Sequence, residues 1–283
     1  MRKLCISAEY GYHGRFVERI TLAKEAGFNS VFLSMRRRGK RLALFEDICL
    51  ALDLCKQNDI DVEFIHLPNI KNYNLLWEEG SDGDIFCDYL IGIIAQCAML
   101  GCKLFVTHTG YKKTLMPPVN IYGLKRFQRL TRACEKFDVK LAIENTESYE
   151  HDTFILENIQ SPNIGLCYDS GHENYFYNNN EQDILERFGD RLMAVHLHDN
   201  FGLNDDHNIP YYGTIDWEKV IKKLKKLPRI PVTLELKSMI LFDNNKPEVL
   251  NKDSKDDAKI FLNKAYDVAK DINKKLNAKP IRY

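Results

Sequence analysis

The sequence predicts an α/β protein built as one (β/α)8 barrel, and three observations support that prediction. Short runs rich in β-branched and aromatic residues alternate with longer amphipathic runs, and the alternation repeats eight times along the 283 residues. An apolar fraction of 45% beside a charged fraction of 28% is typical of a globular enzyme with a sizeable core. No stretch rich in Gly, Ser or Pro divides the chain, so residues 1–283 are expected to form a single TIM-barrel domain.

Each of the eight units pairs a short apolar strand with an amphipathic helix. Strands are expected over residues 3–8, 30–35, 61–67, 103–107, 140–144, 164–168, 192–197 and 231–236. Helices are expected over residues 15–26, 42–58, 84–100, 121–137, 153–159, 183–188, 216–227 and 254–276. Gly27 and Gly101 follow the first and third helices, where glycine favours termination, and Pro68 ends the third strand. The polar stretch 242–255 is expected to be an insertion before the last helix.

Composition argues against two broad classes of function. Forty basic residues balance forty acidic ones, which argues against a protein whose main task is to coat a polyanion. The amino-terminal stretch lacks the apolar region of a signal peptide, and the longest apolar run, residues 90–100, is too short to span a bilayer. Eight cysteines without a CxxC pair are typical of reduced core residues. A cytoplasmic protein with no membrane partner is therefore expected.

Candidate ligands stand at the ends of six consecutive strands. In each case apolar residues are followed by an imidazole or a carboxylate: His66, His108, Glu144, Asp169, His196 and Glu235. The carboxyl ends of barrel strands open on one mouth, so residues that are distant in sequence are expected to converge there. Three more candidates follow in the loops after strands six and seven: His172, Asp205 and His207.

This set of side chains favours a metal site over separate structural roles. Imidazole together with carboxylate suits zinc, manganese, iron or cobalt better than calcium. Glu144 and Glu235 would be costly as unpaired buried charges, and a divalent cation compensates them. A single histidine is more often structural, and this interpretation is kept for His13, His151 and His198. His198 is expected to face the helix layer rather than the mouth.

Basic residues in the loops after strands two, four and eight suggest contacts with a phosphate group. The run over residues 36–41 is the densest, and a solvated loop is the usual alternative for such a run. Because these loops lie on the same face of the barrel as the candidate ligands, substrate or phosphate binding is predicted. The residues concerned are Arg36, Arg37, Arg38, Lys112 and Lys237.

Five motifs together resemble one superfamily. They are IENTES around Glu144, CYDSGH with Asp169 and His172, HLHDN from His196, DDH at residues 205–207, and LELK with Glu235. The pattern is similar to that of the xylose-isomerase-like TIM barrels, and the resemblance covers nearly the whole chain. That superfamily holds sugar and sugar-phosphate isomerases and epimerases, inosose-processing enzymes, and DNA-repair enzymes of the endonuclease IV type.

The resemblance implies one of two ligand sets. In isomerase and epimerase members, a single metal is held by residues that match Glu144, Asp169, His196 and Glu235. In the endonuclease IV branch, a cluster of up to three zinc ions also uses residues that match His66, His108, His172, Asp205 and His207. All nine positions carry a suitable donor in this chain.

The leading interpretation is a sugar or sugar-phosphate isomerase or epimerase that depends on Mn²⁺, Co²⁺ or Zn²⁺. Glu144 and Glu235 form its acid/base pair, and His172 contacts a substrate oxygen, so that proton transfer passes through an enediolate. Residues 200–204 lack the arginine that similar ketose 3-epimerases carry, which argues against a free ketohexose. The alternative is a tri-zinc phosphodiesterase that acts on abasic DNA. A catalytically silent binding barrel is disfavoured by the two glutamates, and a homo-oligomer remains open.

Overall fold

The strands of the protein alternate with helices in the way the sequence predicts. The computed structural model describes residues 2–35, 37–38, 41–42, 45–111, 115–177, 183–243 and 246–278, with only the backbone described between 36 and 46. The strands within these residues are β1 (Leu4–Ser7), β2 (Ser30–Ser34), β3 (Arg37–Arg38), β4 (Arg41–Leu42), β5 (Asp61–His66), β6 (Leu104–Thr107), β7 (Lys140–Glu144), β8 (Ile164–Asp169), β9 (Leu192–His196), β10 (Val232–Leu234), β11 (Ile240–Asp243) and β12 (Lys246–Val249).

Eight of these strands form one parallel sheet within the described part of the chain. Their order is β10-β1-β2-β5-β6-β7-β8-β9, so nearly every strand pairs with the next barrel strand in sequence. A parallel bridge between Leu197 and Leu234 joins the two edge strands and closes the barrel. The predicted (β/α)8 TIM-barrel architecture is therefore confirmed.

Helices cover the outside of the barrel. They are α1 (Phe16–Ala26), α2 (Phe45–Gln57), α3 (Ser81–Met99), α4 (Ile121–Lys136), α5 (Tyr149–Asn158), α6 (Ser170–Tyr177), α7 (Ile184–Phe188), α8 (Trp217–Leu224) and α9 (Lys255–Asn277), with 3-10 helices at Lys71–Trp77 and Gly189–Arg191. Side-chain caps start several of them, as at Asp216, which accepts a hydrogen bond from the backbone of Lys219. No helix in the described ranges is both long and apolar enough to cross a membrane.

Several segments differ from the predictions: Arg41–Leu42 form β4 rather than the start of the second helix, Lys71–Trp77 form a 3-10 helix, and two larger differences follow β8 and β10. Residues 170–177 form α6, which was not expected because the polar and aromatic sequence SGHENYFY has no clear apolar period. The expected insertion contains the antiparallel hairpin of β11 and β12, whose register pairs Ile240 with Val249. None of these differences changes the barrel.

A layer of apolar side chains fills the barrel interior below the mouth. It consists of Cys5, Phe32, Phe64, Val106, Ala142, Cys167 and Ala194, all buried. The Phe32 ring stacks under the imidazole of His196, with 5.1 Å between ring centroids. This layer is the floor on which the side chains at the strand ends rest, and it keeps them at the mouth.

Candidate metal centre

The strand ends bring the predicted ligands together at the barrel mouth. His66, Glu144, Asp169 and His196 are the last residues of β5, β7, β8 and β9. His108 and Glu235 directly follow β6 and β10. All six side chains are buried. The parallel register places Asp169 beside His196, so neighbouring strands present their donors at one level.

Glu144 is the hub of the cluster. Its Oε1 lies 2.8 Å from Nδ1 of His196. Its Oε2 lies 2.9 Å from Nε2 of His66 and 2.8 Å from Nε2 of His108. Burial alone would raise the pKa of this carboxyl, but His196 and His108 outweigh burial and hold the pKa well below its usual value. Glu144 is thus a carboxylate whose two oxygens serve two different groups of donors.

We call Glu144, Asp169, His196 and Glu235 the central group. Their ligand atoms all lie within 4.8 Å of one another. Around Nδ1 of His196, the nearest oxygen of Glu235 is at 3.3 Å and that of Asp169 at 3.7 Å. Three buried carboxylates around one imidazole carry more negative charge than that ring can offset. A divalent cation fits this donor set.

The tautomers of three histidines also favour a bound divalent cation. Nδ1 of each lies 2.7 to 3.0 Å from a backbone carbonyl, which can only accept, so Nδ1 carries the proton. These pairs are His66 with Leu67, His172 with Asn145, and His207 with Glu235. In each ring Nε2 then faces the carboxylates of the mouth. Metal-binding histidines are usually held in this way.

His207 is a further candidate ligand, surrounded by charged groups of both signs. Burial, together with the neighbouring His198 and Lys237, lowers the pKa of His207. Its Nε2 lies 2.9 Å from Oδ2 of Asp205 and 2.6 Å from Nζ of Lys237, so this nitrogen stands between a carboxylate and an ammonium group. An imidazole nitrogen beside a carboxylate is a suitable pair of ligands for a divalent cation.

Asp205 connects the loop after β9 to the same mouth. Its Oδ2 lies 3.6 Å from Nε2 of His172, and its Oδ1 lies 3.7 Å from Nε2 of His198. Burial opposes ionisation, but His172 and His207 hold the pKa of Asp205 far below its usual value. All nine predicted ligands therefore lie in one contiguous cluster. That they bind metal stays a prediction.

The expectation for His198 is wrong. The side chain faces the mouth, where its Nε2 lies 3.0 Å from Asp169 and its ring stacks on His207 at 4.1 Å. The physical reason is that residues two apart share one face of an extended chain. Leu197 continues the extended path through its bridge to Leu234, so His198 follows His196 inward. The spacing HxH was the signal that could have identified it.

The other two histidines keep structural roles. His13 lies on the surface, 3.0 Å from Asp253. His151 is buried against the ring of Trp77 and contacts the carbonyl of Pro117 at 2.8 Å. Neither of these contacts involves a residue of the mouth.

Lys237 is the predicted basic residue that the structure places in the cluster. Its Nζ lies 3.2 Å from Oε1 of Glu235 and 2.6 Å from Nε2 of His207. Arg37 and Arg38 form β3, of which only the backbone is described. Arg36 and Lys112 lie outside the described residues. Phosphate binding by all of these residues stays a prediction.

The mouth encloses a cavity of about 330 Å³. Its lining combines ligands with residues from three loops: Ser34, Met35, His66, Leu67, Asn69, Ile70, His108, Glu144, His172, Asp205, Glu235 and Lys237. A second cavity of about 640 Å³ shares Ser34 and Lys237 with it. The donors therefore open on a space that can admit a small polar substrate.

Asp199 organises the loop that carries Asp205 and His207. Its carboxylate accepts hydrogen bonds from three backbone N–H groups, at 2.9 to 3.2 Å, and from the indole of Trp217 at 2.6 Å. The backbone donors belong to Asn200, Tyr211 and Ile215. Asp199 thus fixes both ends of the loop and is a structural residue.

Comparison with known proteins identifies the family to which the chain belongs. A family model described as xylose isomerase-like TIM barrel matches residues 20–263. The chain belongs to that family. The predicted resemblance is therefore confirmed, and the nine clustered donors lie within a xylose isomerase-like barrel.

Relatives of this xylose isomerase-like chain match parts of it. An uncharacterized protein of Sinorhizobium fredii is 36% identical over 106 residues, which span 35% of this chain and 34% of that protein. An uncharacterized protein of Methanocaldococcus jannaschii is 29% identical over 188 residues, 63% of this chain and 72% of the relative. A mannonate dehydratase of Oceanobacillus iheyensis is 25% identical over 116 residues, 39% of this chain and 28% of that enzyme.

Solved structures resemble the whole barrel. A D-psicose 3-epimerase determined in the presence of D-fructose has a TM-score of 0.72 at 12% identity, and covers 96% of this chain and 99% of its own. A D-tagatose 3-epimerase-like protein has a TM-score of 0.68 at 18% identity, with 95% and 98% covered. At these identities the likeness shows the fold that this xylose isomerase-like chain shares with sugar epimerases.

Proposed function

We propose that this protein is a divalent-metal-dependent isomerase or epimerase of a sugar or sugar phosphate. One observation carries the proposal: two ionised glutamates, Glu144 and Glu235, contact the same imidazole nitrogen of His196 and line the same cavity. Burial would raise the pKa of Glu235, but Lys237 and His196 outweigh it and hold the pKa well below its usual value. Paired carboxylates beside one substrate cavity suit proton removal and return at carbon.

The central group would hold the cation. Its mixture of one imidazole and three carboxylates suits manganese, cobalt or zinc. When bound, a divalent cation polarises the substrate carbonyl and stabilises the enediolate that forms when the proton leaves carbon.

Glu235 is the better placed of the two glutamates to take the proton from carbon. Both oxygens of Glu144 lie within 2.9 Å of histidine nitrogens, so each is already engaged. The nearest partners of Glu235 are more distant, with Lys237 at 3.2 Å and His196 at 3.3 Å. In this proposal Glu235 removes the proton and Glu144 supports its return to the other face of the carbon.

His172 would orient the substrate. Burial lowers the pKa of its ring, but Asp169 and Asp205 outweigh burial and raise the pKa well above its usual value. Nδ1 donates to the carbonyl of Asn145, and in the protonated ring that the raised pKa favours, Nε2 also carries a hydrogen, which it can donate to a substrate oxygen. The buried floor below His196 excludes water from the other side of the site.

The solved neighbours support a carbohydrate substrate. They include D-psicose 3-epimerases in the presence of D-fructose and with D-tagatose, and their fold extends over nearly the whole of this chain. Lys237, which lines the cavity, suits a substrate that carries a phosphate or another anionic group.

Incubation in deuterated water tests the proposal. The protein is loaded with Mn²⁺, Co²⁺ or Zn²⁺ and mixed with a panel of ketoses, inososes and their phosphates. We expect metal-dependent incorporation of deuterium at the carbon next to the carbonyl, because the removed proton exchanges with solvent. Absence of deuterium and product across the panel would overturn the proposal.

A second candidate is phosphodiester hydrolysis of the endonuclease IV type. The observation in its favour is that His66 and His108 meet on Oε2 of Glu144 while His196 meets Oε1, as a carboxylate that bridges two metals requires. Metal content separates the candidates. About one ion per chain favours the isomerase, whereas three zinc ions and cleavage of an oligonucleotide with an abasic site favour the hydrolase.

A further inference from the structure

His198 is buried in the mouth, although the sequence analysis predicted that it would face the helix layer. Its side chain is fully buried between Asp169 and His207. The ring lies directly over Gly171, where an added Cβ would come within 1.9 Å of the imidazole. The hydroxyl of Ser170 bonds to both the N–H and the carbonyl of His198, at 3.1 and 2.8 Å. Backbone and ring are therefore both fixed.

The contacts of the ring decide which nitrogen carries the proton. Nδ1 is buried, and among the described residues it has no hydrogen-bond partner. Nε2 lies 3.0 Å from Oδ1 and 3.2 Å from Oδ2 of Asp169. An unpaired buried N–H donor is rarer in proteins than an unpaired acceptor, and a carboxylate can only accept. The proton therefore lies on Nε2, which donates to Asp169.

This bond supplements others that fix Asp169. The backbone N–H of His172 donates to Oδ1 at 2.7 Å. The side chain of Asn145 holds the backbone of Asp169 on both sides, through bonds of 2.7 and 2.9 Å. Oδ2, which also accepts from Nε2 of His198 at 3.2 Å, lies nearest the central group, 3.7 Å from Nδ1 of His196.

We propose that His198 is a positioning residue, which holds the Asp169 carboxylate so that Oδ2 faces the cation position of the central group. The inference rests on the proposed metal centre and goes beyond it, since His198 belongs to neither ligand set that the family resemblance implies. Partners that orient a metal ligand typically change metal affinity about 10- to 100-fold when removed.

The competing role is that of a metal donor. His198 also lies 3.7 Å from Asp205, and with Asp205 and His207 it forms a group whose ligand atoms are within 4.8 Å. Glutamine separates the two roles, because its amide can donate a hydrogen bond to a carboxylate but is a poor ligand for zinc or cobalt.

The experiment compares His198→Gln and His198→Leu with the unmodified protein. Affinity for Co²⁺ is measured by competition with a chelator, metal per chain by elemental analysis, and ligand geometry by the visible absorption of bound Co²⁺. We expect His198→Leu to weaken Co²⁺ binding about 10- to 100-fold and shift the spectrum, with His198→Gln close to the unmodified protein. Metal per chain at saturation should stay the same in both. His151→Gln, a buried histidine outside the mouth, is the matched control.

Two results would overturn the inference. One is that glutamine and leucine reduce the metal bound per chain equally, which would make His198 a donor. The other is unchanged affinity and spectrum in both variants, which would make it a packing residue. If His198→Leu fails to fold, the ¹⁵N spectrum of the unmodified, Zn²⁺-loaded protein decides, since a proton on Nδ1 of His198 contradicts the proposal. His196→Ala tests the metal centre itself: retention of all metal there would remove the proposed function, independently of His198.

Discussion

Replacement of Glu235 by glutamine is the sharpest test of the proposed proton transfer. The change keeps the shape of a side chain that is only 6% exposed, and it removes the charge and the basicity. The two close contacts of Glu235, at 3.2 and 3.3 Å, are longer than those of Glu144, so the ground-state structure loses little. Glu144, Asp169 and His196 remain to hold the cation.

The substitution is expected to raise the free energy of the transition state for proton transfer. Transfer of a proton by a positioned carboxylate contributes ~10²- to 10⁴-fold, which equals about 3 to 5 kcal/mol of activation free energy at ~1.4 kcal/mol per factor of ten. Turnover should therefore fall by at least ~100-fold. Glu144→Gln should behave differently, because it breaks three contacts of 2.8 to 2.9 Å and should release metal first.

The assay follows deuterium exchange at saturating metal, with metal content measured on the same samples. Glu173→Gln is the control, because Glu173 is a half-buried carboxyl that pairs with Tyr168 and does not line the cavity. Glu235→Gln with full metal and more than about a tenth of the unmodified turnover would refute the assignment of Glu235 as a proton-transfer group.

Three further predictions concern side chains around the cluster. Lys237→Met should raise KM about 10- to 100-fold more for a phosphorylated substrate than for its neutral counterpart, because the charge-assisted hydrogen bond to phosphate is lost while the lost contact with Glu235 affects both substrates; steady-state kinetics on matched pairs checks this. Burial raises the pKa of Asp152 to about 8, so the folded state keeps a proton that the unfolded chain releases near pH 4. Stability should therefore fall as pH rises from about 4 to about 8, and urea titrations of Asp152→Asn should show a flatter profile. Gly171→Ala should cost about 1 to 3 kcal/mol of unfolding free energy by pressing on His198, whereas Gly92→Ala, where an added Cβ meets nothing within 4 Å, should be neutral or stabilising in the same denaturation experiment.

The residues at the strand ends could be predicted from the apolar pattern of the strands and from the geometry of a parallel barrel. A strand buried on both sides appears as a short apolar run, and a parallel barrel sends every carboxyl end to one mouth. His66, Glu144 and Asp169 could therefore be expected to converge at the mouth, although they are far apart in sequence. β7 has the predicted bounds, Lys140–Glu144.

Other features depend on contacts that no local pattern contains. The helix α6 begins immediately at Ser170, and its first residues face His198 and Asp169 rather than an apolar layer. The contact between Lys237 and His207 depends on how two separate loops meet. The orientation of His198 was predictable from the two-residue period, and the error there was one of interpretation.

The apolar floor of the barrel has a consequence for the order of binding. Phe32 and Phe64 pack within 5.1 and 5.5 Å of the His196 ring and close the inner side of the cluster. Within the part of the chain that the structure describes, a cation held by the central group therefore faces the opening that admits the substrate. Substrate should therefore slow the removal of metal by a chelator, and metal added after the substrate should activate the protein with a lag that lengthens as substrate concentration rises.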